Sequence, residues 1–148
     1  MIKYENKKII NSTPDKIFNV FINNAKDTFE KINIKNPVGC KTIKEVKRDS
    51  KGKKLYKSCL EITDYKKDKL YEITFTTDGQ TFISKYALNK ISKNETELIC
   101  IEKFINNNNP NKILDSITKF FYNSQVKKRF KYIVSDIETK IKKVDDHL

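Results

Sequence analysis

The sharpest chemical feature of this sequence is a carboxylate among apolar residues. Glu102 lies between Cys100 and Phe104 in a segment of alternating character. If strand alternation turns residues 98, 100, 102 and 104 to one side, Glu102 shares a face with Leu98, Cys100 and Phe104. A carboxylate buried there without a partner is costly. It must then hold its proton to higher pH, bond to a tyrosine or pair with a lysine. The opposite phase points Ile99 and Ile101 inward and leaves Glu102 in water, and both phases stay open. As a catalytic base Glu102 has no second acid, histidine or metal site beside it.

Following the bulkier phase through the preceding segments extends the same face. It gathers Tyr56, Ser58, Leu60 and Ile62, then Tyr71, Ile73 and Phe75, then Phe82, Ser84, Tyr86 and Leu88. An apolar wall carrying a few polar groups is the make-up of a small-molecule site. A filled core, its hydroxyls bonded to one another or to backbone, competes with that reading.

Other chemistries are excluded by what the chain lacks. With 3 glycines it holds no phosphate-binding loop or dinucleotide fingerprint. It has no nucleophile elbow and no His-Glu-x-x-His pair. Cys40, Cys59 and Cys100 are scattered, and the single histidine is His147. A zinc site needs about four ligands in close-spaced pairs, so these cysteines read as reduced thiols. No cofactor and no metal are expected.

Net charge is +12, and its position matters more than its size. Residues 41–57 carry eight basic and two acidic side chains, and residues 112–143 carry nine and three, so each segment contributes +6. The rest of the chain cancels. Lys51, Lys53 and Lys54 in the first segment and Lys127, Lys128 and Arg129 in the second are the candidate anion- or partner-binding residues. A solvated lysine surface, an anionic membrane or acidic protein, and nucleic acid compete as readings. Nucleic acid ranks last, because lysine far outnumbers arginine and no helix-turn-helix, zinc-finger or RNA-binding motif occurs. Part of Lys127-Lys128-Arg129 must face inward or snorkel, since Val126 and Phe130 flank it.

The elements that position these residues follow from period and punctuation. Lys3–Asn11 reads as a strand. Asn11-Ser12-Thr13-Pro14-Asp15 then starts a helix: a hydroxyl to cap, proline at the first position and an acid at the positive end. Ile17, Phe18, Phe21 and Ile22 follow at helical spacing. A second short helix is predicted around Ala25–Ile34 from Phe29 and Ile32. From Cys40 to Phe104 the period becomes two, giving strands near Cys40–Arg48, Lys54–Thr63, Leu70–Thr77, Thr81–Asn89 and Glu95–Phe104. Asp78-Gly79 between Phe75 and Phe82 is the clearest hairpin signal. From Pro110 to Lys143 one apolar stripe runs through Ile117, Phe120, Phe121, Phe130, Ile133, Val134, Ile137 and Ile141, predicting a helix of about 45 Å. Asp145–Leu148 reads as a loose tail. No run reaches the roughly 18 apolar residues of a membrane span, and no apolar leader opens the chain. One domain over residues 1–148 and a cytoplasmic location are expected.

The order of strand, two short helices, antiparallel meander and long terminal helix resembles the START-like (SRPBCC, birch-pollen-allergen-like) superfamily, an α+β helix-grip fold. The resemblance is carried by Ile10-Asn11-Ser12-Thr13-Pro14-Asp15-Lys16-Ile17-Phe18, by Asp78-Gly79, and by the last helix with Phe120-Phe121 and Lys127-Lys128-Arg129. In detail the chain is similar to a bacterial branch known only as a domain of unknown function. The resemblance implies a curved antiparallel sheet of six to seven strands wrapped on the C-terminal helix, with a hydrophobic cavity between them. Superfamily members include cyclases, hydrolases, lipid carriers and chaperone assistants, so the fold alone names no activity. Candidate cavity residues are Tyr56, Ser58, Tyr71, Ile73, Phe82, Ser84, Tyr86, Leu98, Glu102, Phe120 and Phe121. The leading expectation is a non-enzymatic domain that binds a small hydrophobic or amphipathic ligand there. An interaction module using the two basic segments comes second, and a cavity enzyme third.

Overall fold

The computed structural model describes residues 1–48, 50–77, 79–106 and 116–147, and of these the side chains of 45–48, 54–56, 116–118 and 121 are left out of the description. Six strands and two helices follow in the order β1 (Ile2–Ile10), α1 (Pro14–Thr28), β2 (Lys41–Arg48), β3 (Lys54–Lys66), β4 (Leu70–Thr77), β5 (Gln80–Ser92), β6 (Glu95–Asn106) and α2 (Ser116–Asp146). The strands form one antiparallel sheet in the order β1-β6-β5-β4-β3-β2. The chain therefore starts at one edge, crosses to the other through α1, and meanders back until β6 lies beside β1.

Turn chemistry fixes the hairpin registers. Thr77 sits opposite Gln80, and Gly79 takes φ +72°, the left-handed conformation that glycine adopts without steric cost. Asp78 lies outside the described residues. Between β3 and β4, Asp68 takes φ +61°, which a short polar side chain tolerates; Lys69 N–H donates to the Lys66 carbonyl at 2.9 Å. A bulge between Ile62 and Asp64 then reverses the side-chain phase of β3. Ile62 faces inward before the bulge, and after it Tyr65 packs edge-on against Phe18 at 5.4 Å. This extends β3 three residues past its expected end at Thr63.

The outer face confirms the phase. Lys41 pairs with Glu61 at 3.1 Å, and the Thr63 hydroxyl meets Glu72 at 2.8 Å and Thr74 at 2.9 Å. The inner face carries Ile62, Tyr71, Tyr86, Leu98 and Cys100, all buried, against Ile17, Phe18, Phe21 and Ile22 of α1. Val134, Ile137 and Ile141 of α2 complete this core. Thr96, fully buried, donates its hydroxyl to the Ser12 carbonyl at 2.8 Å and ties β6 to the corner between β1 and α1.

Two element predictions need correction. No second helix follows α1: Ala25–Thr28 belong to α1, and Phe29 turns extended (φ −113°, ψ 103°) with its ring buried. Phe29 and Ile32 are core anchors on an irregular segment, where a spacing of three imitates a helix. At the other end α2 continues through Asp145, which Lys16 holds at 3.0 Å, so there is no loose tail before Asp146. The predicted helix start at Pro110 lies outside the described residues. Thr13 occupies the α1 N-cap without a side-chain capping bond, and Pro14 follows as expected.

Candidate functional site

Between the inner face and α2 the packing leaves two adjoining hollows. The larger, about 300 Å³, lies over β5 and β6 beneath the first half of α2. Its apolar wall comes from Phe82, Tyr86 and Phe104 on the sheet and from Tyr122, Val126 and Ile133 on α2. The smaller, about 190 Å³, lies where α1, α2, β3 and β4 meet, walled by Phe21, Phe29, Leu60, Tyr71, Ile73 and Ile137. Tyr86 and Ile133 border both hollows and form the partition. Tyr86 is held by stacking against Phe21 (5.0 Å) and Tyr71 (6.3 Å).

The polar centre of the larger hollow is Glu102. Its cross-strand neighbours are Ser84 and Tyr4, which alternation places on the same face. From α2, Arg129 reaches down and grips the carboxylate with both prongs: Nε to Oε1 at 3.2 Å and Nη2 to Oε2 at 2.6 Å. The side chain of Glu102 is 12% exposed and that of Arg129 52% exposed. The carboxylate is therefore largely covered and the guanidinium spans from floor to solvent. A bidentate charge-assisted pair fixes orientation as well as charge. The hydrogen bond to Glu102 raises the Arg129 pKa above its ordinary value.

Burial also raises the pKa of tyrosine and cysteine side chains close to this pair. Burial first, then the neighbouring Cys100 and Glu102, push the Tyr86 hydroxyl far above its ordinary range, with a smaller opposing effect from its hydrogen bond with Ser84. Burial and then Glu102 push the Cys100 thiol up to about 12. Burial likewise pushes Tyr71 up to about 12. Tyr4, raised by burial and by Tyr122, donates to the Lys119 carbonyl at 3.2 Å and bolts β1 to α2. Phe75, Phe82, Phe104 and Tyr122 form a ladder of rings, with successive centroids 6.2, 4.9 and 5.5 Å apart, running from the sheet onto the helix.

The family model described as Domain of unknown function (DUF3284) matches residues 5–123. The chain belongs to the DUF3284 family. β2 to β6, α1, most of β1 and the opening of α2 fall inside the matched stretch, whereas Tyr4 falls before it and Arg129 beyond it. A comparison with curated proteins found no match. Among solved structures the DUF3284 chain is similar to Ara h 8.0201 (15% identity, TM-score 0.61, 95% of this chain and 97% of that one). It is also similar to protein MLL2253 from Mesorhizobium loti (12%, 0.61, 96% and 98%) and to a START superfamily protein from Mycobacterium smegmatis (6%, 0.58, 96% and 98%). At such identities the likeness is one of fold: the DUF3284 chain has the START-like helix-grip fold, with six strands and one helix after the first strand.

The structure brings together most of the predicted cavity residues. Phe82, Ser84, Tyr86 and Glu102 line the larger hollow and Tyr71 and Ile73 the smaller. Leu98 is fully buried in the core beyond them. Ser58 is buried too, its hydroxyl donating to the Lys44 carbonyl at 3.4 Å, and lines neither hollow. Phe120 is corrected: it is 69% exposed, and Tyr122 and Val126 take the inward positions instead. The side chains of Tyr56 and Phe121 lie outside the described residues.

Of the basic candidates, Lys127 and Lys128 are exposed on α2, and Lys51 and Lys53 are exposed at the β2–β3 turn. The Lys54 side chain lies outside the description. Arg129 is the member of its triplet that reaches over the cleft, onto Glu102, seven residues after Tyr122 and three after Val126 on the lining stripe. Tyr4, Tyr122, Gln125, Val126 and Ile133 were missed as lining. Pairing the Ile2-Tyr4-Asn6 phase with β6 would have found Tyr4. Among the described residues no group of acidic, cysteine or histidine side chains could hold a metal ion, and no helix is long and apolar enough to cross a membrane.

Proposed function

We propose that this domain binds a small amphipathic molecule in the cleft between the sheet and α2. The supporting observation is a bidentate Glu102–Arg129 pair set into a cleft otherwise walled by rings and aliphatic side chains. A volume of about 300 Å³ falls at the small end of the range for ligand sites, and an apolar wall with few polar groups suits such a site. The proposal is binding without chemistry. Burial raises the Tyr86 hydroxyl and the Cys100 thiol and Arg129 engages Glu102, which supports binding over proton transfer.

Native mass spectrometry of protein purified from cells is the test. A discrete excess mass is expected, released by organic solvent and identifiable in the extract. A bare-chain mass, together with no saturable binding of 1-anilinonaphthalene-8-sulfonate, overturns the proposal.

A further inference from the structure

The ligand class follows from how Arg129 shares its donors and from what blocks the cleft. Glu102 occupies Nε and one hydrogen of Nη2. A guanidinium has five N–H groups in a planar fork, and the Arg129 side chain is 52% exposed, so its Nη1 edge is available to an anion without displacing Glu102. Shape adds a second condition. A long acyl chain would have to pass the partition formed by Tyr86 and Ile133, and Tyr86 is fixed by its stack with Phe21 and Tyr71. A flat, short body instead meets the Phe82–Phe104–Tyr122 ladder, whose ring spacings of 4.9 and 5.5 Å lie in the range for favourable aromatic contact.

Resting on the binding function proposed above, we infer that the ligand is a planar aromatic acid of one or two rings. Its ring packs in line with Phe104 and Tyr122, and its carboxylate meets the Nη1 edge of Arg129. Glu102 is then a positioning residue, which holds the guanidinium plane so that its free edge faces the cleft.

Calorimetric titration of the whole chain at neutral pH with naphthalene-2-carboxylate, 2-naphthamide and decanoate tests this. The naphthoate is expected to bind about tenfold more tightly than either competitor, the effect of one charge-assisted hydrogen bond. In Glu102→Gln/Arg129→Gln, with folding checked by circular dichroism, acid and amide are expected to bind alike. Equal binding of the amide or of decanoate to the wild-type chain overturns the inference, and needs no variant to be read. So does a preference for acid that survives in the double variant. If none of the three binds while native mass spectrometry finds a releasable mass, the aromatic acid is wrong and the binding function stands. If neither that mass nor the anilinonaphthalene probe binds, both fall.

Discussion

At the scale of single residues, the cleft is organised by acids whose pKa burial raises and by one bidentate ion pair. Glu102 avoids the penalty of a lone buried carboxylate because Arg129 supplies two hydrogen bonds and the opposite charge. Cys100 has no such partner, and its thiol is raised from 9.0 to about 12. Tyr71 is raised from 10.0 to about 12. These are acids whose folded pKa exceeds the unfolded value, so the unfolded chain loses its protons first as pH rises. Their stabilisation is complete below about pH 9 and falls away above it, at roughly 1.4 kcal/mol per pH unit for each group engaged. Urea unfolding across the alkaline range should therefore show stability declining from near pH 9. In Cys100→Val the decline should start about one unit later, when the tyrosines begin to titrate. A flat profile to pH 11 would mean that these side chains are wet.

At the scale of elements, the parts with strong local periodicity were legible and the parts set by tertiary packing were not. The phase of β4 and β5 could be read from residues such as Ile73 and Tyr86, because a one-residue slip would expose their apolar side chains at once, whereas β6 stayed open because Ile99 and Ile101 offer an apolar face of their own. The β3 bulge was invisible: Thr63 looks like one more alternating residue, yet it is the position at which Tyr65 is turned toward Phe18. The expected second helix failed for a similar reason, since Phe29 is placed by the core and not by its neighbours. That part of the basic triplet faces inward was legible from its apolar flanks, but its pairing with Glu102 was not, because helical geometry places Arg129 on the lining stripe without naming its partner across the cleft. The Thr96 hydroxyl is another long-range device that sequence does not announce. Thr96→Val keeps the shape but leaves the Ser12 carbonyl short of a buried donor. It should lower unfolding free energy by about 1–3 kcal/mol in urea titrations; no change would show that the corner between β1 and α1 finds another donor.

At the scale of the whole molecule, the helix grips the sheet at one end and stands off it at the other. Val134, Ile137 and Ile141 seal the second half of α2 against α1 and the core. Asn24 is bound there to Asp136 at 3.3 Å and to Lys140 at 2.6 Å. The first half is held through Tyr4 and the Glu102–Arg129 pair, and there the larger hollow opens. Charge divides along the same helix: Lys127 and Lys128 face solvent while Arg129 turns inward. Amide chemical-shift mapping with 1-anilinonaphthalene-8-sulfonate distinguishes the two faces directly. Saturable shifts centred on Tyr4, Ser84, Glu102, Phe104 and Arg129 are expected. Shifts confined to Lys127, Lys128 and Lys131, or to the β2–β3 turn, would contradict it.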